Sequence, residues 1–127
     1  MKMREIKFRT WDKKYHMMEY DYSTDLLIGM DGKVYKKEER NYAGTSFIEY
    51  EVANHFELMQ YTGLKDKNSK GIYEGDIVKH PIYGVNSVQY SDHMELCNGK
   101  WILSRCYKEV EVIGNIYENP ELLEESK

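Results

Sequence analysis

LMQYTGLKDKNSKGIYEGDIVKH, residues 58–80, is the stretch whose reading decides the fold. Its opening belongs to a strand candidate from Phe56 to Thr62, which mixes the aliphatic and aromatic residues that suit a pleated, half-buried surface. Asp66-Lys67-Asn68-Ser69 then reads as a turn, because Asp and Asn side chains bond their own backbone and Asn tolerates a left-handed conformation. Asn68 is the residue expected to adopt it. Ile72-Tyr73 resumes an extended run, Gly75-Asp76 bends it, and Ile77-Val78-Lys79 continues as a further strand. Asp76 follows the bend directly, which favours a turn cap over a catalytic acid.

The same alternation of strand and turn extends outward. Arg4, Ile6, Phe8 and Thr10 fall on one side of an extended segment, and Glu5, Lys7, Arg9 and Trp11 on the other. Asp12-Lys13-Lys14 turns the chain toward a second strand from Tyr15 to Tyr22. Asp31-Gly32 between apolar runs is a hairpin signal, since Gly accepts the positive φ such a turn demands. Residues 36–45 are polar, hold Gly44 and read as a loop, with room for one helical turn from Glu38 to Gly44. Ser46 to Val52 alternates again. Pro81 has no N–H to give a ladder and marks a strand end. Gly84 to Tyr90 shows a broken alternation that suits a bulge. Trp101-Ile102-Leu103 and Val110–Ile113 are further short apolar runs. In Asn119-Pro120-Glu121, Asn119 is placed to cap, Pro120 to take the first helical position, and Glu121 to favour the positive end of the dipole. Many short strands, turns between them and no long helical period predict a mainly β chain. The expected form is a small barrel or sandwich of short antiparallel strands with one short C-terminal helical turn, in a single domain over residues 1–127.

A chain of 127 residues can bury enough surface to fold without a metal or a disulfide. Hydrophobic residues make up 41% and charged residues 31%, a globular balance. The anomaly is tyrosine, with 12 copies against 3 phenylalanines. Tyr suits strands with the ring inside and the hydroxyl wet, so a β-rich fold with a thin core explains it; a Tyr-rich contact surface is the sharper alternative. The net charge of −4 argues against a protein living on phosphate contacts, although residues 1–14 are locally basic. The opening MKMREIKFRTWDKK contains no apolar stretch of the secretory kind, and no run reaches the roughly 18 apolar residues of a membrane span. The expectation is a cytosolic protein with Cys97 and Cys106 reduced.

Three blocks, REIKFRTWDKKYHM (4–17), Leu58 to Val78, and VEVIGNIYENPELL (110–123), resemble the YopX-like family of phages and prophages. They lie at the start, middle and end of the chain. Family members often carry Gly where this chain has Ser69 and an acidic residue where it has Gly71. The resemblance implies a small, mostly β, phage- or prophage-encoded protein of the bacterial host cytosol, and implies no activity. Gly75-Asp76-Ile77-Val78 is also similar to the opening strand of many SH3-like barrels, where the Gly bends the chain and the Asp bonds the bend.

Chemistry-bearing patterns are sparse. His80, His93, Cys97 and Cys106 lack the paired spacing of small zinc sites, since only His93 and Cys97 lie close together; two semi-buried thiols and two surface imidazoles is the plainer reading. There is no G-x-S-x-G elbow and no phosphate-binding glycine loop. We therefore expect no enzyme, no catalytic residues, no metal and no cofactor. The one candidate binding surface surrounds the central hairpin: Tyr61, Lys65, Lys67, Lys70, Tyr73 and Lys79. Exposed rings beside lysines would suit single-stranded nucleic acid, whereas buried rings with solvated lysines would be ordinary strand packing. The favoured expectation is a non-catalytic β module that binds protein, either itself as a homo-oligomer or a phage or host partner, with no membrane association. Free strand edges motivate the self-assembly. Single-stranded nucleic-acid binding through the hairpin is the alternative.

Overall fold

A computed structural model describes residues 5–20 and 25–125. The chain divides into two compact units, Phe8–Leu58 and Met59–Lys127, the second also including residues 1–7.

In the unit Phe8–Leu58, β1 (Phe8–Asp12) and β2 (Met17–Glu19) form an antiparallel hairpin with Trp11 opposite Met18. Its turn is held by Asp12, whose Oδ1 accepts the backbone N–H of Lys14 (2.9 Å) and of Tyr15 (3.1 Å). The second strand is shorter than expected, and the end of the predicted segment, Asp21-Tyr22, lies outside the described residues. The predicted Asp31-Gly32 hairpin is present: β3 (Leu26–Ile28) pairs with β4 (Val34–Tyr42), Leu27 opposite Tyr35.

β4 corrects the sequence reading. Residues 36–42, expected as loop or helical turn, continue as strand and pair in unbroken register with β5 (Thr45–Val52), from Tyr35↔Val52 to Tyr42↔Thr45. The turn is the two residues Ala43 and Gly44, with φ of 52° and 82°. Positive φ at both positions defines the type I′ turn, whose twist matches that of two paired strands. The segment KKEER lacks apolar alternation because water reaches both faces of this strand pair. Its ladder to β5, together with Arg40 bonding both Glu49 and Glu51, holds it. β6 (Phe56–Lys65) begins in this unit and ends in the other.

In the second unit β6 pairs with β7 (Gly71–Tyr73), Tyr61 opposite Tyr73 and Lys65 opposite Gly71, with a register shift between. The remaining strands are β8 (Asp76–His80), β9 (Gly84–Tyr90), β10 (Leu96–Asn98), β11 (Trp101–Ile102) and β12 (Glu111–Asn115). They form a five-stranded antiparallel sheet in the order β11-β10-β9-β8-β12. The bulge expected in Gly84–Tyr90 is elsewhere: β9 pairs regularly with β8, and the irregularity lies in β12 between Val112 and Gly114. The core gathers Ile72, Val78, Val88, Leu103, Cys106 and Val110, with Leu64, Leu96, Tyr107 and Val112 packed on it. Burying each large aliphatic side chain contributes about 1.5–3 kcal/mol. A four-residue helix, α1 (Leu103–Cys106), delivers Leu103 and Cys106 to this core; it is too short to have shown a helical period. The C-terminal helical turn is α2 (Glu121–Glu125), though Asn119 Oδ1 turns back to accept the N–H of Asn115 (3.2 Å). The fold is thus mainly β, with curled antiparallel sheets of short strands and one short helical turn near the C-terminus. Among the described residues no helix is long and apolar enough to cross a membrane.

Two hairpin loops share one device, which moves the left-handed residue away from Asn68. In residues 66–70 the Asp66 carbonyl accepts from Ser69, Asp66 N–H bonds the Lys70 carbonyl, and Asp66 Oδ1 accepts from Asn68 and Lys70. Residues 91–95 repeat every bond, with Ser91 Oγ in place of the carboxylate. This is a type I turn closed by a left-handed residue, and the left-handed position is the third after the acceptor. It is filled by Ser69 (φ 65°) and Met94 (φ 64°). An L-residue there carries a steric cost of about 1–2 kcal/mol that glycine avoids, partly offset by glycine's larger loss of chain entropy. Ser69→Gly is therefore expected to stabilise by roughly 0.5–1 kcal/mol, read as a thermal midpoint about 2–4 °C higher. Met94→Gly should add a similar amount, since the Met94 side chain is exposed.

Candidate interaction surface

The central hairpin does not present an aromatic platform. Tyr61 and Tyr73 are buried and lean on each other at 5.4 Å between ring centroids, with Lys7 Nζ 4.6 Å from the Tyr61 ring. Lys65, Lys67, Lys70 and Lys79 are exposed, and Lys67 is 3.8 Å from Glu111. The six candidate residues thus separate into two core rings and four solvated cations. The rings offer no free face for a nucleotide base to stack on.

The buried polar side chains repeatedly do structural work on the backbone. Asp66 Oδ2 accepts the N–H of Val112 (2.9 Å), which ties the 66–70 loop to β12. Burial pushes the Asp66 carboxyl up, but the N–H bonds from Val112, Lys70 and Asn68, with the Lys70 charge, outweigh it and hold the group below its ordinary value. Asp76 Oδ2 accepts from Tyr73 N–H (2.8 Å), the turn-cap role expected of it. Asn115 Oδ1 accepts from Tyr117 and Glu118.

His80, read from sequence as a surface imidazole, is buried instead. Its Nδ1 accepts the N–H of Ile82 (3.0 Å) and Tyr83 (3.1 Å), so Nε2 carries the proton and donates to Glu109 Oε2 (2.6 Å). Both ring nitrogens are thus engaged within the protein. Cys106 donates to Asn98 Oδ1 (3.2 Å), and burial pushes its thiol up from the usual value, away from the reactive thiolate. Among the described residues no three His, Cys, Asp or Glu side chains come together as metal ligands.

Two surfaces stand out among the described residues. One is an open groove of about 670 Å³ in the second unit, lined by Tyr83, Asn86, Ser87, Lys100 and Trp101 among others. Tyr83 stacks between His80 and Trp101, at 4.1 Å from each. The other is the β3-β4-β5 sheet, with β5 at its edge. All eight β5 residues are exposed, including Phe47, Ile48 (52%), Tyr50 (48%) and Val52. Strand alternation and the observed register put Leu27, Tyr35, Ile48, Tyr50 and Val52 on one face. Phe47, Arg40, Glu49 and Glu51 share the other.

The model of the YopX protein family matches residues 7–124. The chain belongs to the YopX family. The crystal structure of protein EF1440 from Enterococcus faecalis resembles it with a TM-score of 0.66 at 28% identity, over 95% of this chain and 99% of that one. The crystal structure of protein yopX from Bacillus subtilis gives a TM-score of 0.53 at 24% identity, over 94% and 98% respectively, a likeness of fold. There is no significant match among curated proteins. For this YopX-family chain the resemblance drawn from residues 4–17, 58–78 and 110–123 therefore holds along nearly the whole sequence. Its exposed β4–β5 sheet lies outside those blocks. Sequence reasoning missed it because KKEERNY reads as loop; the usable signal was Ala43-Gly44 followed at once by an alternating run.

Proposed function

We propose that the chain is a non-catalytic β module that works by binding protein, with the β3-β4-β5 sheet as its contact surface. It would serve as an accessory protein encoded by a phage or prophage and acting in the cytosol of the bacterial host. The observation that carries this reading is the edge strand β5, every residue of which is exposed, with apolar side chains on both faces and, among the described residues, no strand paired to its outer edge. Exposed, contiguous apolar strands mark interaction surfaces in folded proteins, and a free edge is a template for another strand. The buried polar groups support the same reading from the other side, since Asp66, Asp76, His80 and Asn115 are engaged with backbone N–H groups. The test is co-purification from host cells of the wild type and of an Ile48→Lys/Tyr50→Lys variant. A protein, whether another chain or a second copy, should be retained by the wild type and lost from the variant. Equal retention by both would overturn the assignment of the surface.

A second reading, binding of single-stranded nucleic acid, shifts from the central hairpin to the groove at Tyr83, Trp101 and Lys100, where an aromatic stack and a cation adjoin. It predicts oligonucleotide binding that weakens steeply with salt and is lost in Trp101→Ala. Unchanged anisotropy of a labelled oligonucleotide at low salt rejects it.

A further inference from the structure

We infer that the occupant of the β5 edge is a second copy of the same strand, paired antiparallel across a two-fold axis at Ile48. This rests on the reading of the β3-β4-β5 sheet as a protein-binding surface. The argument begins at the type I′ turn. In a two-residue hairpin the closing pair, here Tyr42 and Thr45, exchanges both backbone hydrogen bonds, and the pairs then alternate. Thr45, Phe47, Glu49 and Glu51 therefore direct their backbone groups to β4. Ser46, Ile48, Tyr50 and Val52 direct theirs to the free edge. Those four hold the apolar side chains of one face, Ile48, Tyr50 and Val52, so a strand that satisfies the edge also extends that face.

The charges narrow the occupant and the register, and of the registers they allow the one centred on Ile48 pairs the most of β5. β5 carries two acids and no Lys or Arg. A phosphate backbone gains nothing there. Both acids point to the same face and are already bonded by Arg40. An antiparallel copy centred on Glu49 would set the two Glu49 carboxylates against each other, and one centred on Tyr50 would set Glu49 against Glu51 of the other copy. Centred on Ile48, the pairs are Ile48 with Ile48, Tyr50 with Ser46, Glu49 with Phe47, and Glu51 with Thr45, so no acid faces an acid. The strand is complementary to itself in that register. The pairing closes about six backbone hydrogen bonds and joins two three-stranded sheets into one. Of the edge guards that oppose such pairing the strand has two glutamates, both bonded by Arg40, and no Pro, no Lys and no bulge among its residues.

The test is light scattering of the full chain at tens of micromolar, with two substitutions. Wild type should have twice the chain mass. Ile48→Pro removes an outward N–H and leaves the ladder to β4 intact, so it should give a monomer with an unchanged far-ultraviolet spectrum. In a Cys97→Ser background, Ile48→Cys should form a disulfide between copies on mild oxidation, because directly opposed residues lie within reach of each other. Tyr50→Cys, which faces Ser46, should not. A monomeric wild type, a dimeric Ile48→Pro, or faster linkage at position 50 than at 48 would each overturn the pairing. If the wild type is monomeric while Ile48→Lys/Tyr50→Lys still releases a captured protein, the self-pairing falls and the protein-binding reading stands.

Discussion

Asp66→Ala should lower stability by about 3 kcal/mol, seen as a thermal midpoint roughly 10 °C lower at neutral pH. The carboxylate accepts three backbone N–H groups, from Asn68, Lys70 and Val112, and is buried. Truncation orphans all three donors, and the Val112 donor belongs to β12, so the loss spreads from a five-residue loop into the five-stranded sheet. Asp66→Asn separates charge from shape. Its one oxygen can still serve Asn68 and Lys70, but its amide would face Val112 N–H, donor against donor. We expect Asn to recover less than half of the loss. The sign of the pH dependence follows from the depressed folded-state value of Asp66. In the unfolded chain the group titrates near pH 4. Its stabilisation is therefore fully present above about pH 4 and is lost as pH falls through the folded value. The gap between the melts of wild type and Asp66→Ala should narrow in strong acid. A gap that stays constant from pH 7 down to pH 2 would mean that the charge plays no part.

The turn chemistry of this chain is legible in its sequence because it is local. Asp31-Gly32, Gly75-Asp76 and Asp12 announce bends through side chains that bond backbone groups two or three residues away, and each bend is where those residues place it. The phase of a strand is a different matter. Alternation around Tyr61 and Tyr73 shows that residues two apart share a face, but which face meets the core is set by packing from elsewhere in the chain. Both rings consequently went inside, and with them the nucleic-acid platform proposed for the hairpin. β4 was invisible for the opposite reason. A strand with water on both faces needs no apolar alternation, so its charged run carries the composition of a loop. The proposed contact surface was thus illegible where it matters most: its strand partner hides behind KKEER, and only the Ala43-Gly44 turn betrays it.

His80 carries the other large expected effect. Its Nδ1 lies one bond beyond Cγ, the same place as the side-chain oxygen of Asp or Asn, and it accepts N–H groups two and three residues ahead, as Asp12 and Asn115 do. A histidine thus serves as the turn cap between β8 and β9, with its ring face committed to the stack on Tyr83 and Trp101. His80→Ala removes the cap and one member of the stack together, and should cost about 3 kcal/mol. His80→Asn keeps an acceptor in position for Ile82 and Tyr83 and should restore roughly half of that. Glu109→Gln should cost only about 0.5 kcal/mol, because that side chain is 63% exposed and its bond to Nε2 is a surface contact at one end. In a Trp11→Phe background Trp101 fluorescence gives a local readout, since loosening of the stack should shift its emission in the alanine variant before global unfolding begins. If Glu109→Gln proved as costly as His80→Ala, the bond to Glu109 rather than the cap would be holding the turn.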